Sequence, residues 1–140
     1  MSGNEDDGPI TVTLTLDNAV DGGFSVDLNT ADGTATTADS DYTAVTSQTL
    51  TFAGTAGETQ TFTVTPTADT KLEADETVSV SMSNLAGTTL PVTITDGATV
   101  SILNDDPFPN LNIDNISVNE NEGSATFTVT LSAVSDLAVS

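Results

Sequence analysis

Polar residues, mostly threonine, alternate with apolar residues along much of the chain. Val12, Leu14 and Leu16, for example, are separated by Thr13 and Thr15. Successive side chains of a β-strand point to opposite faces of a sheet, so a period of two predicts strands with one buried face. The same pattern occurs at Phe24, Val26 and Leu28, at Leu50 and Phe52, at Phe62 and Val64, at Val78, Val80 and Met82, and at Val100 and Ile102.

Clusters of turn-forming residues separate these runs, as in DNAVDGG at 17–23 and AGTAG at 53–57. Gly, Asp and Asn favour the backbone conformations of tight turns. No stretch shows the period of a long helix. Short strands divided by turns at this spacing predict an all-β fold, an antiparallel β-sandwich of about seven strands.

The chain also repeats itself. NEDDGPITVTLTL, starting at Asn4, aligns with NENEGSATFTVTL, starting at Asn119, at an offset of 119 − 4 = 115 residues. The alternating segment LNIDNISV at 111–118 precedes the second copy and has no counterpart before Asn4. A chain slightly longer than one period indicates a piece of a tandem array.

Three segments follow from this repeat. Residues 1–106 are expected to form one module that lacks its first strand. Residues 107–109, with a proline at each end, form a short stiff linker. Residues 110–140 are expected to be the opening strands of the next module.

The charge of the chain excludes several kinds of partner and of chemistry. Lys71 is the single basic side chain against 21 Asp and Glu, and the formal net charge is −20. Nucleic-acid binding requires cationic side chains, and no window approaches the roughly 18 apolar residues of a membrane-spanning helix, so we expect neither partner. Because His and Cys are both absent, imidazole bases, thiol nucleophiles and ordinary zinc sites are excluded.

The acidic residues are predicted to gather at one end of the sandwich. Alternate loops of an up-and-down or Greek-key sandwich emerge at the same end. We call the end that carries Glu5 the near end and the opposite one the far end. The acidic residues that strand counting assigns to the near end are Glu5, Asp39, Asp41, Asp69, Glu73, Asp75, Glu76, Asp105 and Asp106.

This arrangement favours a calcium site, because a cluster of carboxylates repels itself unless a cation bridges it. Calcium is a hard ion that takes 6–8 oxygen ligands at about 2.3–2.6 Å. Two alternatives remain open. Acidic loops can be simple solvated turns. An extra hairpin at Asp96 and Gly97 would send Asp105 and Asp106 to the far end.

Several motifs of the chain resemble the Calx-beta module. The opening V-x-E-x-x-G pattern occurs at Val118, Glu120 and Gly123, and again in part at Glu5 and Gly8. The further matching motifs are DGTA at 32–35 with Asp41 and Tyr42, LTF at 50–52 with Gly57 and Glu58, E-x-D-E at Glu73, Asp75 and Glu76, and the closing Asn104, Asp105 and Asp106. The module is found in sodium–calcium exchangers, an integrin tail and long bacterial surface or secreted proteins.

The resemblance implies an immunoglobulin-like sandwich whose last strand ends in the acidic run. In calcium-binding members of that family the ligands come from this same end. The resemblance therefore nominates as calcium ligands Glu5, Asp41, Glu73, Asp75, Asp105 and Asp106.

The resulting functional expectation is a calcium-binding spacer module of a bacterial surface adhesin or secreted repeat protein, extracellular or at the cell surface. Calcium would stiffen the joint with neighbouring tandem modules. The alternative is a carbohydrate- or protein-binding adhesion module without a calcium role. An enzyme is not expected: carboxylate pairs among Asp39, Asp41 and Glu73 resemble those of glycosidases only in type, without aromatic sugar contacts. Segment 111–118 is further expected to complete a module, either in its own chain or by strand exchange with another copy.

Overall fold

The computed structural model describes residues 1–95 and 97–138. The chain divides into two compact units. The first unit comprises Met1–Asp69 and Asp75–Asn104, and the second comprises Thr70–Ala74 and Asp105–Ser140. In the described part of the chain, no helix has the length and apolar character needed to cross a membrane.

The first unit contains eight described strands in two sheets. The strands are β1 (Ser2–Asn4), β2 (Ile10–Thr15), β3 (Phe24–Asp32), β4 (Tyr42–Thr43), β5 (Gln48–Phe52), β6 (Thr59–Pro66), β7 (Glu76–Ala86) and β8 (Ala98–Leu103). Strands β1, β8, β7, β3 and β5 form one sheet in that order, and β2, β6 and β4 form the other. All pairs are antiparallel except β1 with β8, which is parallel.

The core of the first unit lies between the two sheets, as the alternation predicts. Phe62 and Val64 of β6 are buried, whereas Thr61 and Thr63 between them are exposed. Phe24 of β3 stacks on Phe52 of β5 with ring centroids 5.0 Å apart. The other buried apolar side chains of this core are Ile10, Val12, Val26, Leu28, Ala35, Tyr42, Leu50, Val78, Val80, Val100 and Ile102. The all-β sandwich is therefore confirmed.

The described strands number ten in the whole chain, against the seven or so that alternation indicates. Strands β1 and β4 contain three and two residues, which is too short for a period of two to be visible in sequence. The alternative of an extra hairpin concerns Asp96, which lies outside the described residues. Strands β7 and β8 pair directly, with Val78 opposite Val100.

A tight turn at the far end is built around Glu58. Its carboxylate accepts hydrogen bonds from the backbone N–H groups of Ala53, Gly54 and Thr55 at 2.9, 2.9 and 3.3 Å. These bonds, led by the one from Ala53, hold the pKa of Glu58 below its ordinary value of 4.5. Gly54 has a φ of 96°, and a Cβ there would lie 1.9 Å from the carbonyl oxygen of Val20. This position therefore requires glycine.

The Glu58 turn makes the stability of the fold depend on pH. Because folding lowers the pKa, the stabilisation is present above the ordinary value of 4.5 and is lost as pH falls through the lower, folded-state value. We expect Glu58→Gln to reduce the free energy of unfolding at pH 7 and to have progressively less effect as the pH falls below 4.5. Urea titrations in chelator, at pH 7 and at a pH well below 4.5, measure this effect. The control is Glu120→Gln, which changes an exposed glutamate. An equal effect of Glu58→Gln at both pH values would contradict it.

The second unit contains β9 (Leu111–Ile113) and β10 (Val129–Leu131), which pair antiparallel. Leu72 is buried, and it bonds through its backbone to Val134 and Asp136. Lys71 forms ion pairs with Glu73 at 2.5 Å and with Asp136 at 2.7 Å. Hydrogen bonds to Asp136 and then Glu73 raise the pKa of Lys71 well above its ordinary range, so this side chain stays cationic.

The internal repeat is visible in local structure. A single 3₁₀ turn spans Glu5–Asp7, and another spans Glu120–Glu122, at the offset of 115 residues. Each turn ends at a glycine with positive φ, 86° at Gly8 and 71° at Gly123. The two copies therefore share a 3₁₀ turn that ends at a glycine with positive φ, but they leave it in different directions, because ψ is −158° at Gly8 and −23° at Gly123.

Candidate functional site

The near end of the first unit is set by the register of the larger sheet. Asn4 lies opposite Leu103, so the turn that starts at Glu5 begins where β8 ends. Glu76 lies opposite Ile102, at the start of β7. Asp75 precedes it, and its Oδ1 accepts a hydrogen bond from the N–H of Asn104 at 3.2 Å. Register thus brings Glu5, Asp75 and Glu76 to the same end.

The smaller sheet contributes Asp41 and Asp69 to this end. Tyr42 pairs with Pro66, and the N–H of Thr67 donates to the carbonyl of Asp41 at 3.0 Å. Asp69 follows two residues later along the chain. Asp41 and Asp69 therefore lie at the end of the first unit to which strand counting assigns them.

Two pairs of carboxylates come close together at the near end. One ligand oxygen of Glu5 and one of Asp69 lie within 4.8 Å of each other. The same limit holds for Asp41 and Glu76. Glu5 is only 6% exposed. Two carboxylates at this separation destabilise the fold by repulsion, and more so when one is shielded from water.

The loop that carries Asp41 is held in place by its own hydrogen bonds. Asp41 Oδ2 accepts from the N–H of Thr36 at 2.7 Å, and the N–H of Asp41 donates back to the carbonyl of Thr36 at 3.1 Å. Tyr42 is buried and donates its hydroxyl to Asp32 Oδ1 at 2.7 Å. Burial first, and then this bond, raise the pKa of Tyr42 above its ordinary value. The loop is therefore preorganised, with the side chain of Asp41 half-buried.

The remaining nominated ligands belong to the second unit. Glu73 has one oxygen in the ion pair with Lys71. Asp105 and Asp106 are the first two residues of the long segment of that unit, directly after Asn104. The ligand role of these three residues stays a prediction.

Two residues of the close pairs, Asp69 and Glu76, were not among the nominated ligands. Strand counting assigns both residues to the near end, whereas the motif resemblance selects Glu73 and Asp75 from the same loop.

The donor set fits a hard divalent cation. Its four described members in the first unit are carboxylates from separate segments of the chain: Glu5, Asp41, Asp69 and Glu76. Calcium prefers oxygen ligands, tolerates irregular geometry and offsets the repulsion of such groups. Waters and backbone carbonyls commonly complete its coordination.

Comparisons with known proteins give one family match. A family model described as the Calx-beta domain matches residues 1–106. No curated protein matches the chain.

Several solved structures are similar to the chain. The calcium binding domain CBD12 of CALX1.1 superimposes with a TM-score of 0.66 at 24% identity, over 82% of this chain and 47% of that one. CBD12 from CALX1.2 gives 0.63 at 27% identity, over 75% and 41%. The apo form of the Calx CBD1 domain gives 0.60 at 26% identity, over 75% and 89%. The chain thus spans less than half the length of the two CBD12 structures.

Proposed function

Because the chain belongs to the Calx-beta family, we propose that it is a calcium-binding structural module. The observation that carries the proposal is the approach of Glu5 to Asp69 and of Asp41 to Glu76 at one end of the sandwich. In a chain with a net charge of −20, a bound cation would offset the repulsion within each pair. One of the similar structures, CBD12 of CALX1.1, is described as a calcium binding domain, which supports the same interpretation.

The proposed ligand set combines the nominated residues with those that the fold adds. In the first unit it comprises Glu5, Asp41, Asp69, Asp75 and Glu76. The second unit is proposed to contribute Glu73, Asp105 and Asp106.

Asp105 and Asp106 give the proposed site a mechanical role. They follow the last strand of the sandwich, and Pro107 and Pro109 come after them in the chain. Calcium held by this segment would restrict the direction in which the chain leaves the module, and proline would stiffen the continuation. The module would then act as a spacer that calcium makes rigid, with neighbouring tandem modules as its partners.

The wider setting of this proposal is a bacterial surface adhesin or secreted repeat protein, located outside the cell. The internal repeat at an offset of 115 residues supports a tandem array. Extracellular fluids contain calcium at concentrations that suit modules of moderate affinity, with Kd values of about 10⁻⁴–10⁻³ M. The work of the module would be mechanical, with no enzymatic activity.

Isothermal titration calorimetry with calcium tests the site. We expect binding to the intact chain, and a loss of affinity of about tenfold or more in the double variant Asp41→Asn, Glu76→Gln, because two charged ligands are removed. We expect a smaller loss of affinity in Asp105→Asn, Asp106→Asn. In a chain of two tandem modules, calcium is expected to extend the molecule in small-angle scattering, and this double variant is expected to lose that extension.

The matched control is Asp17→Asn, Asp21→Asn. It removes the same two charges from exposed positions at the far end, so it separates ligation from the general attraction of an acidic protein for cations. Equal loss of affinity in the near-end and far-end variants would contradict the site. Unchanged affinity in Asp105→Asn, Asp106→Asn would show that these two residues are not ligands. It would contradict the proposed role of calcium at the joint between modules.

A further inference from the structure

The loop between β6 and β7 contains a segment that does not belong to the compact unit of its neighbours in sequence. Residues 70–74 lie between Pro66, the last residue of β6, and Glu76, the first residue of β7. They nevertheless belong to the second unit, together with residues 105–140. A loop of one module is therefore packed in the same unit as the opening of the next.

Backbone hydrogen bonds join this segment to residues 134–136. The N–H of Leu72 donates to the carbonyl of Val134 at 3.2 Å, and the N–H of Asp136 donates to the carbonyl of Leu72 at 3.1 Å. Leu72 thus forms a parallel β-bridge with Ser135, whose hydroxyl also donates to the carbonyl of Leu72 at 3.4 Å. Because Leu72 is only 5% exposed, burial of its apolar side chain stabilises the segment that makes this bridge.

The one basic side chain of the sequence takes part in the same contact. Lys71 pairs with Oε1 of Glu73 on its own segment at 2.5 Å and with Oδ2 of Asp136 at 2.7 Å. Without the ammonium group of Lys71, these two carboxylates would repel each other. The bridge at Leu72 and the ion pairs of Lys71 therefore hold the same two segments together.

The internal repeat shows that a folded module leaves the groups of this contact accessible. At the offset of 115 residues, Val134 and Asp136 are the counterparts of Ala19 and Asp21, which are both exposed in the first unit. The carbonyl of Ala19 and the N–H of Asp21 make no backbone hydrogen bond with another described residue. The contact with residues 70–74 thus uses groups that stay available when the later strands of a module are in place.

Strand direction assigns the two partner loops to opposite ends of a module. Strand β1 runs parallel to β8 and ends at the near end, so the chain enters a module at its far end and leaves it at its near end. Residues 70–74 follow β6 at the near end, whereas residues 17–23, the counterparts of 132–138, follow β2 at the far end. A linker as short as 107–109 therefore favours contact between these loops of successive modules.

We propose that residues 70–74 of one module and the counterpart of residues 132–136 in the next form a head-to-tail joint of the tandem array. Leu72 provides the backbone bridge, and Lys71 provides the ion pair with the aspartate of the next module. That aspartate is present in both copies, as Asp21 and as Asp136. The inference rests on the tandem arrangement in the proposed function but not on calcium, because the chain alone makes the bridge and the ion pairs.

Hydrogen exchange of backbone amides, measured by NMR on the full chain in chelator, tests the contact. We expect the amides of Leu72 and Asp136 to be protected, because both donate in the bridge. We expect Lys71→Glu to speed the exchange of both amides by about threefold or more, since three carboxylates then lie together and an ion pair is lost.

A charge swap distinguishes a direct ion pair from a general effect of charge. Adding Asp136→Lys to Lys71→Glu restores opposite charges across the contact, and we expect most of the protection to return. The matched control adds Asp114→Lys to Lys71→Glu. It gives the same net charge through an exposed aspartate of the same unit, and we expect it to restore little of the protection.

The same amides are then measured in a chain that continues through a second module. Joining residues 26–106 to Ser140 keeps the repeat offset and supplies the later strands. We expect the amide of Leu72 to stay protected in this longer chain, and Lys71→Glu to speed its exchange as it does in the original chain.

Three results would overturn the proposal. The first is fast exchange of Leu72 and Asp136 in the unaltered full chain. The second is equal recovery from Asp136→Lys and Asp114→Lys. The third is loss of protection at Leu72 when the second module follows. Because every measurement is made in chelator, a failure to bind calcium would leave the joint standing, and loss of the joint would leave the calcium site standing.

Discussion

Calcium at about 10 mM should raise the midpoint of thermal unfolding of this chain by roughly 6–11 °C over its value in chelator. With a Kd of about 10⁻⁴–10⁻³ M, this concentration is about ten to a hundred times Kd, and a ligand that binds only the folded state then adds about 1.4–2.7 kcal/mol. About 1 kcal/mol moves the midpoint of a domain of this size by roughly 4 °C. The physical source is the release of repulsion between Glu5 and Asp69 and between Asp41 and Glu76. Differential scanning calorimetry at moderate salt measures the shift.

Magnesium is the control for this experiment. It carries the same charge as calcium but requires a compact octahedral site and gives up its waters reluctantly. We therefore expect a clearly smaller shift with magnesium at the same concentration. Equal shifts with both ions would show general screening of an acidic protein rather than a site. No shift with calcium would contradict the proposed function of this module.

Phe62→Ala should lower the free energy of unfolding by about 3–5 kcal/mol. Phe62 lies in the centre of β6 and is only 1% exposed, so the substitution removes a large apolar side chain and leaves a cavity between the sheets. A loss of this size is a large fraction of the roughly 5–15 kcal/mol that stabilises a typical domain. Urea unfolding in chelator, followed by circular dichroism, measures the change.

Thr63→Ala is the matched control, because Thr63 is the next residue of β6 and its side chain is exposed on the opposite face. We expect it to change stability by less than about 1 kcal/mol. Calcium should offset part of the loss in Phe62→Ala, since the carboxylate pairs lie at the end of the sandwich and remain intact. A Phe62→Ala chain as stable as Thr63→Ala would mean that the sheets do not pack through this residue.

Much of the fold was accessible from the sequence because burial in a sandwich follows a local rule. Phe62 and Val64 alternate with Thr61 and Thr63, and the structure buries the first pair and exposes the second. The strands that the pattern did not show, β1 and β4, are short. Their formation depends on β8 and β6, with which they pair across long sequence separations.

The candidate site was predictable as a region and less so as a set of residues. Counting strands placed the loops of Asp41 and Glu76 at one end, because the direction of successive antiparallel strands alternates. Distances between particular carboxylates depend on the path of each loop. The loop of Asp41, for example, is held by the hydrogen bond from Thr36 to its side chain and by that from Tyr42 to Asp32.

The sequence by itself determined the all-β class, the core positions, the repeat and the family, because each follows from local alternation or from motifs of fixed spacing. Tertiary structure decided which carboxylates approach one another, as Glu5 and Asp69 do, and that β1 pairs in parallel with β8. Both depend on which strands become neighbours in a sheet. Which strands become neighbours depends on the packing of residues far apart in the chain, and a local pattern of residues does not predict it.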